Sequence, residues 1–288
     1  MASFPLLSLL LLLITQASIL SCAKNNTENI ATGFDSIPVV RPVAPIILET
    51  SGLADSKRNK GFLWVHEDSG NPSQLYLLGH DGKVVKTVAL QGITNRDWEE
   101  LQLAGNKLYL ADIGDNQAKN DISTIYIFEE PAYTADAISD IITIQFKYAD
   151  GPRDAEAFLV DEQSGDIFII TKSDKPTRIY KLAFPYSNTS VNTATQVGEL
   201  KYSGVVAAVI SPDRKEIIIK TYVALQHYKH NPQTSIAETL QKPFEKLPYQ
   251  PEPQGETVAF AADNSGYFTL SEKGLLGAAV KLYFYKRK

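Results

Sequence analysis

Short apolar segments separated by polar turns recur along most of the chain, and this pattern is typical of β-strands. Five times, a small or acidic cluster leads into an apolar strand, a polar turn and a second, strongly apolar strand. The equivalent positions in the five first strands are 48, 57, 51 and 49 residues apart. They are Leu53, Leu101, Phe158, Val209 and Val258. This period corresponds to about one four-stranded propeller blade.

The order of the strand segments predicts how the ring closes. The fifth unit lacks a fourth strand, and the segment Ile37–Val43 has no unit of its own. We predict that this segment completes the fifth unit, because the pairing protects an open sheet edge. The prediction is an all-β fold, a single five-bladed β-propeller over residues 36–288, with six blades as the alternative. Barrel and sandwich folds remain open, since alternation alone does not separate them. A short helix is predicted at Thr234–Leu240.

Residues 1–21 have the pattern of a secretory signal. The apolar segment Leu6–Ile14 is too short to cross a bilayer, which needs about 20 residues. The sequence Ile19-Leu20-Ser21-Cys22 resembles a bacterial lipobox, which implies cleavage before Cys22 and a lipid anchor on its sulfur. An ordinary cleaved signal is the alternative. Residues 22–35 are polar and predict a flexible tether. The lipoprotein interpretation places the domain in the bacterial cell envelope, outside the cytoplasm.

Composition excludes several classes of function. The net charge of −5 does not provide the basic face of a nucleic-acid-binding protein, so no nucleic-acid partner is expected. A single cysteine excludes a disulfide framework and a cysteine zinc cluster. The chain has no glycine-rich phosphate loop, no Gly-x-Ser-x-Gly elbow and no His-Glu-x-x-His motif. We expect a monomer.

Propeller topology predicts where chemistry would occur. The start of each first strand and the end of each second strand share one face, at the mouth of the central channel. The metal-ligand candidates are the carboxylates at these strand starts: Asp97, Glu99, Asp154, Glu156 and Glu256. Carboxylates that converge on one axis cannot all stay ionised without a cation. Oxygen ligands of this kind suit Ca²⁺ or another hard divalent ion, so calcium is the candidate cofactor.

The same face carries further polar residues that could bind a ligand. The candidates are His66, Asp68, Arg96, Asp112, Asp115, Asn116, Arg153, Lys172, Lys220, Glu272 and Lys273. The basic residues among them would suit an anionic group on a ligand. A structural interpretation stays open beside this one. Aspartate before a strand commonly bonds backbone amides, an Arg-Asp-x-Glu repeat can lock adjacent blades through ion pairs, and a lone histidine is often a satisfied turn residue.

Several motifs together resemble an uncharacterised family of secreted bacterial β-propeller proteins. They are Ser51-Gly52-Leu53-Ala54, His66-Glu67-Asp68-Ser69-Gly70, Asp97-Trp98-Glu99, Asp112-Ile113-Gly114-Asp115-Asn116, Asp154-Ala155-Glu156-Ala157 and Gln254-Gly255-Glu256. The resemblance extends from about Glu49 to Lys273 and implies the fold without an activity. More distantly, the Asp-x-Glu strand starts are similar to those of phytase-like and gluconolactonase-like propellers. That similarity implies a divalent ion at the channel and hydrolysis, although Ser51 and Ala207 replace the acid in two of the five predicted first strands.

Two functions remain open from the sequence. The first is a membrane-anchored, extracytoplasmic lipoprotein that binds a small molecule, a glycan or a protein at the acidic channel mouth. The second is a calcium-dependent hydrolase of a phosphoester, a lactone or another ester. In the second case Glu99, Glu156 and Glu256 would act as metal ligands or bases. The fold does not decide between them, because propellers support both roles.

Overall fold

The computed structural model describes residues 30–273 and 277–288. The predicted signal at residues 1–21, the lipidation site Cys22 and the first part of the tether lie outside the described residues. The regular structure of the described chain is almost entirely β-strand, so the all-β prediction is confirmed. In these two described ranges, no helix is long and apolar enough to cross a membrane.

The strands form five antiparallel units of four, numbered here in chain order. The first unit is β2 (Thr50–Asp55), β3 (Phe62–Glu67), β4 (Gln74–Gly79) and β5 (Val84–Leu90). The second is β6 (Trp98–Ala104), β7 (Lys107–Asp112), β8 (Ser123–Glu129) and β10 (Ile142–Tyr148). Between β8 and β10, the two-residue strand β9 (Ala137–Ile138) pairs in parallel with β5 of the first unit. The third is β11 (Ala155–Val160), β12 (Ile167–Thr171), β13 (Arg178–Leu182) and β14 (Asn192–Glu199). The fourth is β15 (Val205–Ile210), β16 (Glu216–Thr221), β17 (Ala224–Lys229) and β18 (Glu245–Lys246). The fifth is β19 (Thr257–Phe260), β20 (Gly266–Leu270), β21 (Lys281–Lys286) and β1 (Val39–Pro42).

The first strands of the units pack side by side around a central axis, which is a propeller arrangement. They follow one another in the order β2, β6, β11, β15, β19 and back to β2. The ring closes through β1, which pairs antiparallel with β21 and places Val40 opposite Tyr283. This is the pairing predicted for Ile37–Val43. The outer strands β10 and β14 also pair, in parallel, and so join the second and third units.

Burial follows the position of a strand within its unit. Every residue of β2, β11, β12 and β20 is buried, because these inner strands have neighbours on both faces. The outer strand β10 instead alternates between buried and exposed residues towards its end. Trp64 and Trp98 are fully buried with Leu101 and Leu110 between the first two units. Each such side chain contributes roughly 1.5–3 kcal/mol through burial.

Residues 30–35, which the sequence assigned to the tether, make contacts with the propeller. Phe34 is 2% exposed, and its ring lies edge-on to Tyr267 with the centroids 5.0 Å apart. The Ala31 N–H donates to the Lys246 carbonyl at 2.8 Å. Because Ala31 and Phe34 stand isolated among polar residues, no period in the sequence identifies them as core positions.

The predicted helix lies in the fourth unit. Helix α1 spans Ile236–Leu240, within the predicted segment. The Ser235 Oγ accepts a hydrogen bond from the Glu238 N–H at 3.1 Å, which satisfies a free amide of the first turn. Ile236 and Leu240 are buried in the same apolar cluster as Tyr228, so the helix covers part of the fourth unit.

Two side chains of β6 cross the central channel. Glu100 is fully buried, and its Oε2 accepts from the Ala208 N–H of β15 at 3.1 Å. The Gln102 Nε2 donates to the Ala208 carbonyl at 2.6 Å. Since β6 and β15 are not neighbours in the ring, these bonds span the axis. Burial raises the pKa of the Glu100 carboxyl well above its usual range. The two faces of the propeller are therefore separated by protein.

Candidate functional site

Three carboxylates meet at the face where first strands begin and second strands end. Asp97 and Glu99 lie at the start of β6, and Asp68 follows the end of β3. One carboxylate oxygen from each lies within 4.8 Å of the others. We call Asp68, Asp97 and Glu99 the mouth cluster. Topology had predicted the convergence of Asp97 and Glu99 as metal ligands, and Asp68 joins them although it was predicted as a ligand-binding residue.

Gly114 allows the backbone to lie directly against this cluster. Its N–H donates to the Asp97 carbonyl at 3.2 Å. A Cβ atom at position 114 would overlap the Glu99 Oε1 and the Asp97 Oδ2. A larger residue would displace both carboxylates, so the close packing of the cluster requires glycine here.

Glu99 has the least favourable environment of the three acids. It is 5% exposed, and its carboxylate receives no hydrogen bond from the residues that the structure describes. Burial, followed by repulsion from Asp68 and Asp97, raises the pKa of Glu99 well above its usual range. Burial is also the main cause of the raised pKa of Asp68 and of Asp97. A buried, unbonded carboxylate beside two others is costly unless a cation or a proton neutralises it.

A second acidic pair faces the mouth cluster. The Tyr222 hydroxyl donates to Glu256, and Glu272 lies close enough to Glu256 for the two carboxyl groups to interact. Burial, followed by repulsion from Glu256, raises the pKa of Glu272 to about 9. Repulsion from Glu256 also contributes to the raised pKa of Glu99, so the pair and the cluster face the same space.

Lys172 brings a positive charge to the same space. Its Nζ forms an ion pair with Glu156 and lies 5.6 Å from the centroid of the Tyr222 ring. Its charge acts to lower the pKa of Asp68 and of Glu99, against the larger effect of burial. Glu156 is 4% exposed, and its Oε2 has no hydrogen-bond partner among the described residues. The predicted metal ligand Glu156 is thus bound to Lys172 at the edge of the cluster.

Arg96 and Asp112 hold the loop that carries Asp97. The Arg96 guanidinium lies 3.0 Å from the Asp112 carboxylate and donates to the Gly114 carbonyl at 2.8 Å. Asp112 also accepts from the Asp97 N–H at 3.2 Å. Both residues were predicted to bind a ligand, but their charged groups bond within the protein, so they position the cluster.

Asp154 and Asp115 connect the second unit to the third. The Asp154 Oδ1 accepts from the Asp115 N–H at 3.2 Å, and its Oδ2 accepts from the Ser173 hydroxyl. Asp115 in turn accepts from the Asn120 N–H at 2.6 Å. Asn116 is exposed. Both oxygens of the predicted metal ligand Asp154 therefore accept hydrogen bonds from neighbouring loops.

The basic candidates Arg153, Lys220 and Lys273 occupy three different environments. Arg153 bonds the Asp150 carboxylate at 2.7 Å and is satisfied within the third unit. Lys220 is fully buried, with its Nζ 3.5 Å from Glu252, and burial lowers its pKa. Lys273 is exposed. Neither Arg153 nor Lys220 offers a free charge to a ligand.

His66 lies beneath the mouth and is fully buried. Its Nδ1 is 3.1 Å from the Glu67 carbonyl, and burial lowers its pKa to about 4, so the ring is neutral at pH 7. A Cβ atom at Gly52 would overlap its Nε2, and its ring lies edge-on to Trp98 at 5.9 Å. His66 therefore packs between strands within β3 and not in a turn, and its buried Nε2 has no hydrogen-bond partner among the described residues.

Tyr222 and Gly114 were not predicted as site residues. Tyr222 directly follows β16, in the same way that Asp68 follows β3, so its position after a second strand was the available signal. For Gly114 the sequence offers only its place between two aspartates. Its role depends on a close approach between loops that no local pattern reveals.

Fold and site together define an all-β propeller with an acidic channel mouth. No protein-family model matches the chain, and no characterised protein matches its sequence. Three solved propeller-type structures are distantly similar. The calcium-binding protein regucalcin from Agrobacterium tumefaciens is 14% identical, with a TM-score of 0.44 over 89% of this chain and 95% of that one. A Trichoderma reesei carbohydrate-active enzyme of family AA12, in its calcium structure, is 11% identical, with a TM-score of 0.49 over 89% and 96%. The hydrazine synthase of Kuenenia stuttgartiensis is 9% identical, with a TM-score of 0.41 over 83% and 71%.

Proposed function

We propose that this propeller binds a divalent cation, with calcium as the best-suited ion, through Asp68, Asp97 and Glu99. The observation that carries the proposal is Glu99, a carboxylate that is 5% exposed and receives no hydrogen bond from the described residues. Calcium binds oxygen ligands at about 2.4 Å, so two ligand oxygens on opposite sides of one ion are about 4.8 Å apart. The cluster oxygens all lie within 4.8 Å of one another, which fits a single shared ion.

The ion would in turn hold a ligand. Calcium takes roughly six to eight oxygen ligands, so three carboxylates leave coordination positions open. Lys172 adds a second positive charge beside the cluster, and its Nζ lies 5.6 Å from the ring of Tyr222, whose hydroxyl is bonded to Glu256. An oxygen-rich ligand with an anionic group, such as a carboxylate, matches this combination. The proposed role is therefore cation-dependent binding of such a ligand at the channel mouth.

Hydrolysis is the second candidate function, and one observation favours it. The Glu156 Oε2 is buried and has no hydrogen-bond partner among the described residues. A metal ion polarises ester or phosphoryl oxygens and lowers the pKa of bound water, and Glu156 could accept the proton of that water. A panel of phosphoesters and lactones, assayed with calcium and with EDTA, tests this role. Calcium-dependent turnover that is lost in Glu156→Gln would establish hydrolysis. If no substrate is turned over, ligand binding remains the proposed function.

Calorimetric titration of EDTA-treated protein with CaCl₂, MgCl₂ and MnCl₂ tests the cation site. At a calcium concentration of about 100 times Kd, the linkage relation gives roughly 2.7 kcal/mol of stabilisation. In a domain of this size that corresponds to a rise in Tm of roughly 5–10 °C. We expect Asp97→Asn to abolish both the heat and the shift. The matched control Asp140→Asn removes an exposed acid outside the cluster and should retain both. No heat and no Tm shift with any ion would refute the site.

We also propose that Cys22 carries lipid and anchors a monomeric propeller outside the cytoplasm of a bacterium. The support is the sequence alone, in which the single cysteine follows an apolar segment and a lipobox-like motif. One acyl chain binds a membrane only weakly, whereas several chains hold it stably. Mass spectrometry of the protein from bacterial membranes should show a multiply acylated Cys22, and the Cys22→Ala variant should be released from the membrane fraction. An unmodified Cys22 would contradict the proposal.

A further inference from the structure

A large cavity lies on the face opposite the mouth cluster, between the first and fifth units. Its volume is about 720 Å³, within the range usual for small-molecule sites. Strand β2 ends at the edge of the cavity, and the turn between β19 and β20 lines the cavity. Because Glu100 and Gln102 cross the channel between the two faces, the cavity is separate from the proposed cation site.

One wall of the cavity is apolar and continuous. The ring centroids of His80 and Phe268 are 4.6 Å apart, and those of Phe268 and Phe284 are also 4.6 Å apart. Leu282 lines the same cavity. A flat or branched apolar group of a ligand could pack against the half-buried rings of His80 and Phe284, behind which Phe268 and Leu282 are already buried.

Positive charge surrounds the opening. Arg41, Lys57 and Lys60 all line the cavity and are exposed. Lys60 makes no hydrogen bond or ion pair with any described residue, and the Arg41 guanidinium bonds only the adjacent Val40 carbonyl, at 3.4 Å. Lys57 is 3.6 Å from Glu162 and is partly neutralised. Two cations at the rim are therefore free to meet an anion.

The acids that line the cavity are already bonded. Asp55 accepts from the His80 Nε2 at 2.6 Å and from the Ala262 N–H at 2.7 Å. Asp263 accepts from the Ser265 N–H at 2.9 Å within its own turn. These bonds occupy the carboxylate oxygens without removing their charge, and the cations Arg41, Lys57 and Lys60 outnumber the two carboxylates by one. The bonds also fix the His80 ring against Phe268.

We propose that this cavity binds a small organic anion with an apolar body, an aryl sulfonate or aryl carboxylate being the class that fits. The apolar body lies along His80 and Phe284, and the anionic group reaches Arg41 and Lys60. The apolar wall supplies most of the binding free energy, and the two cations select for the charge. The site does not depend on the cation site at the mouth.

A pair of fluorescent probes separates the two contributions. The probe 8-anilinonaphthalene-1-sulfonate is an aryl anion, and N-phenyl-1-naphthylamine has the same aromatic body without the charge. We expect one anion bound per protein, about tenfold more tightly than the neutral probe, because two exposed ion contacts together contribute about 1.4 kcal/mol. Arg41→Ala and Lys60→Ala should each weaken binding of the anion about threefold and leave the neutral probe unchanged. Lys215→Ala, an exposed cation of another turn on this face, is the matched control.

Three results would overturn the proposal. They are equal affinity of the wild type for the two probes, unchanged affinity for the anion in both charge variants, and binding at many weak sites in place of one. Arg41 and Lys60 are exposed, so both variants are expected to fold, and circular dichroism with the unfolding midpoint verifies this. A variant that fails this check is replaced by Lys60→Gln or Arg41→Gln, which keep a polar side chain of similar length.

Discussion

Replacing Glu99 by glutamine tests the electrostatic reasoning at the mouth, because it removes a charge and keeps the shape. Two unit charges 4.8 Å apart repel by about 3.5 kcal/mol at an effective dielectric constant of about 20. The oxygens of the mouth cluster lie within 4.8 Å of one another, so a fully ionised Glu99 takes part in two such pairs, or about 7 kcal/mol of repulsion. Burial and the repulsion from Asp68 and Asp97 raise the pKa of Glu99, so this carboxyl ionises at a higher pH than an exposed one.

We therefore expect Glu99→Gln to be more stable than the wild type by about 1–2 kcal/mol in EDTA at pH 8, which is a fraction of the roughly 7 kcal/mol that full ionisation would cost. An acid whose pKa is raised by folding destabilises the fold as pH rises, so the difference should shrink towards pH 5. Saturating calcium should reverse the order, since it stabilises the wild type alone.

The assay is urea unfolding followed by tryptophan fluorescence, with and without calcium, because Trp64 and Trp98 are fully buried and report on unfolding. Asp140→Asn controls for the loss of one surface charge. If Glu99→Gln is less stable than the wild type in EDTA, Glu99 is held by favourable contacts and the repulsion argument fails. If calcium stabilises both proteins equally, Glu99 is not a ligand.

Three further substitutions test other parts of the structure. Gly114→Ala should abolish the calcium-induced Tm shift while the fold persists, because its Cβ would displace two carboxylates of the cluster; an unchanged calorimetric titration would contradict this. Burial acts to raise the pKa of Glu216, but hydrogen bonds from His227 and Arg287 outweigh burial and lower this pKa to about 2. The stability from this contact is complete above about pH 4.5 and is lost as pH falls towards 2. The free energy of unfolding in urea should therefore fall between pH 7 and pH 3, and in Glu216→Gln this fall should be smaller by about 2 kcal/mol. Phe34→Ala should cost about 3–5 kcal/mol in the same assay if residues 30–35 belong to the core, and less than 1 kcal/mol if they form a tether.

The period of the apolar strands predicted the main course of the fold, because inner strands must be buried on both faces. The same topology placed Asp97 and Glu99 on one face without any knowledge of distances. Topology alone does not say which carboxylates on that face keep a free oxygen. Asp154 and Glu99 occupy related positions at the start of first strands, yet Asp154 is fully bonded to its neighbours and Glu99 is not.

The crossing of the channel depends on the size of residues that face each other from distant parts of the chain. Ala207 stood out in the sequence only as a strand start without the expected acid. In the structure β15 carries alanine at 207 and 208, which leaves space for Glu100 to reach the Ala208 N–H across the axis. A small residue on one strand and a long polar residue about a hundred positions earlier form one contact, and no local pattern connects them.

This crossing bears on how the two proposed sites relate. The first and fifth units contribute to both faces, so a ligand at one face could in principle alter the other. Coupling requires an element with two arrangements, however, and the inner strands β2 and β19 are buried along their full length. We therefore expect the affinity for 8-anilinonaphthalene-1-sulfonate to be the same in calcium and in EDTA, within about twofold. A larger change would mean that the inner strands move together when the mouth is neutralised, and the channel crossing at Glu100 would be the first contact to examine.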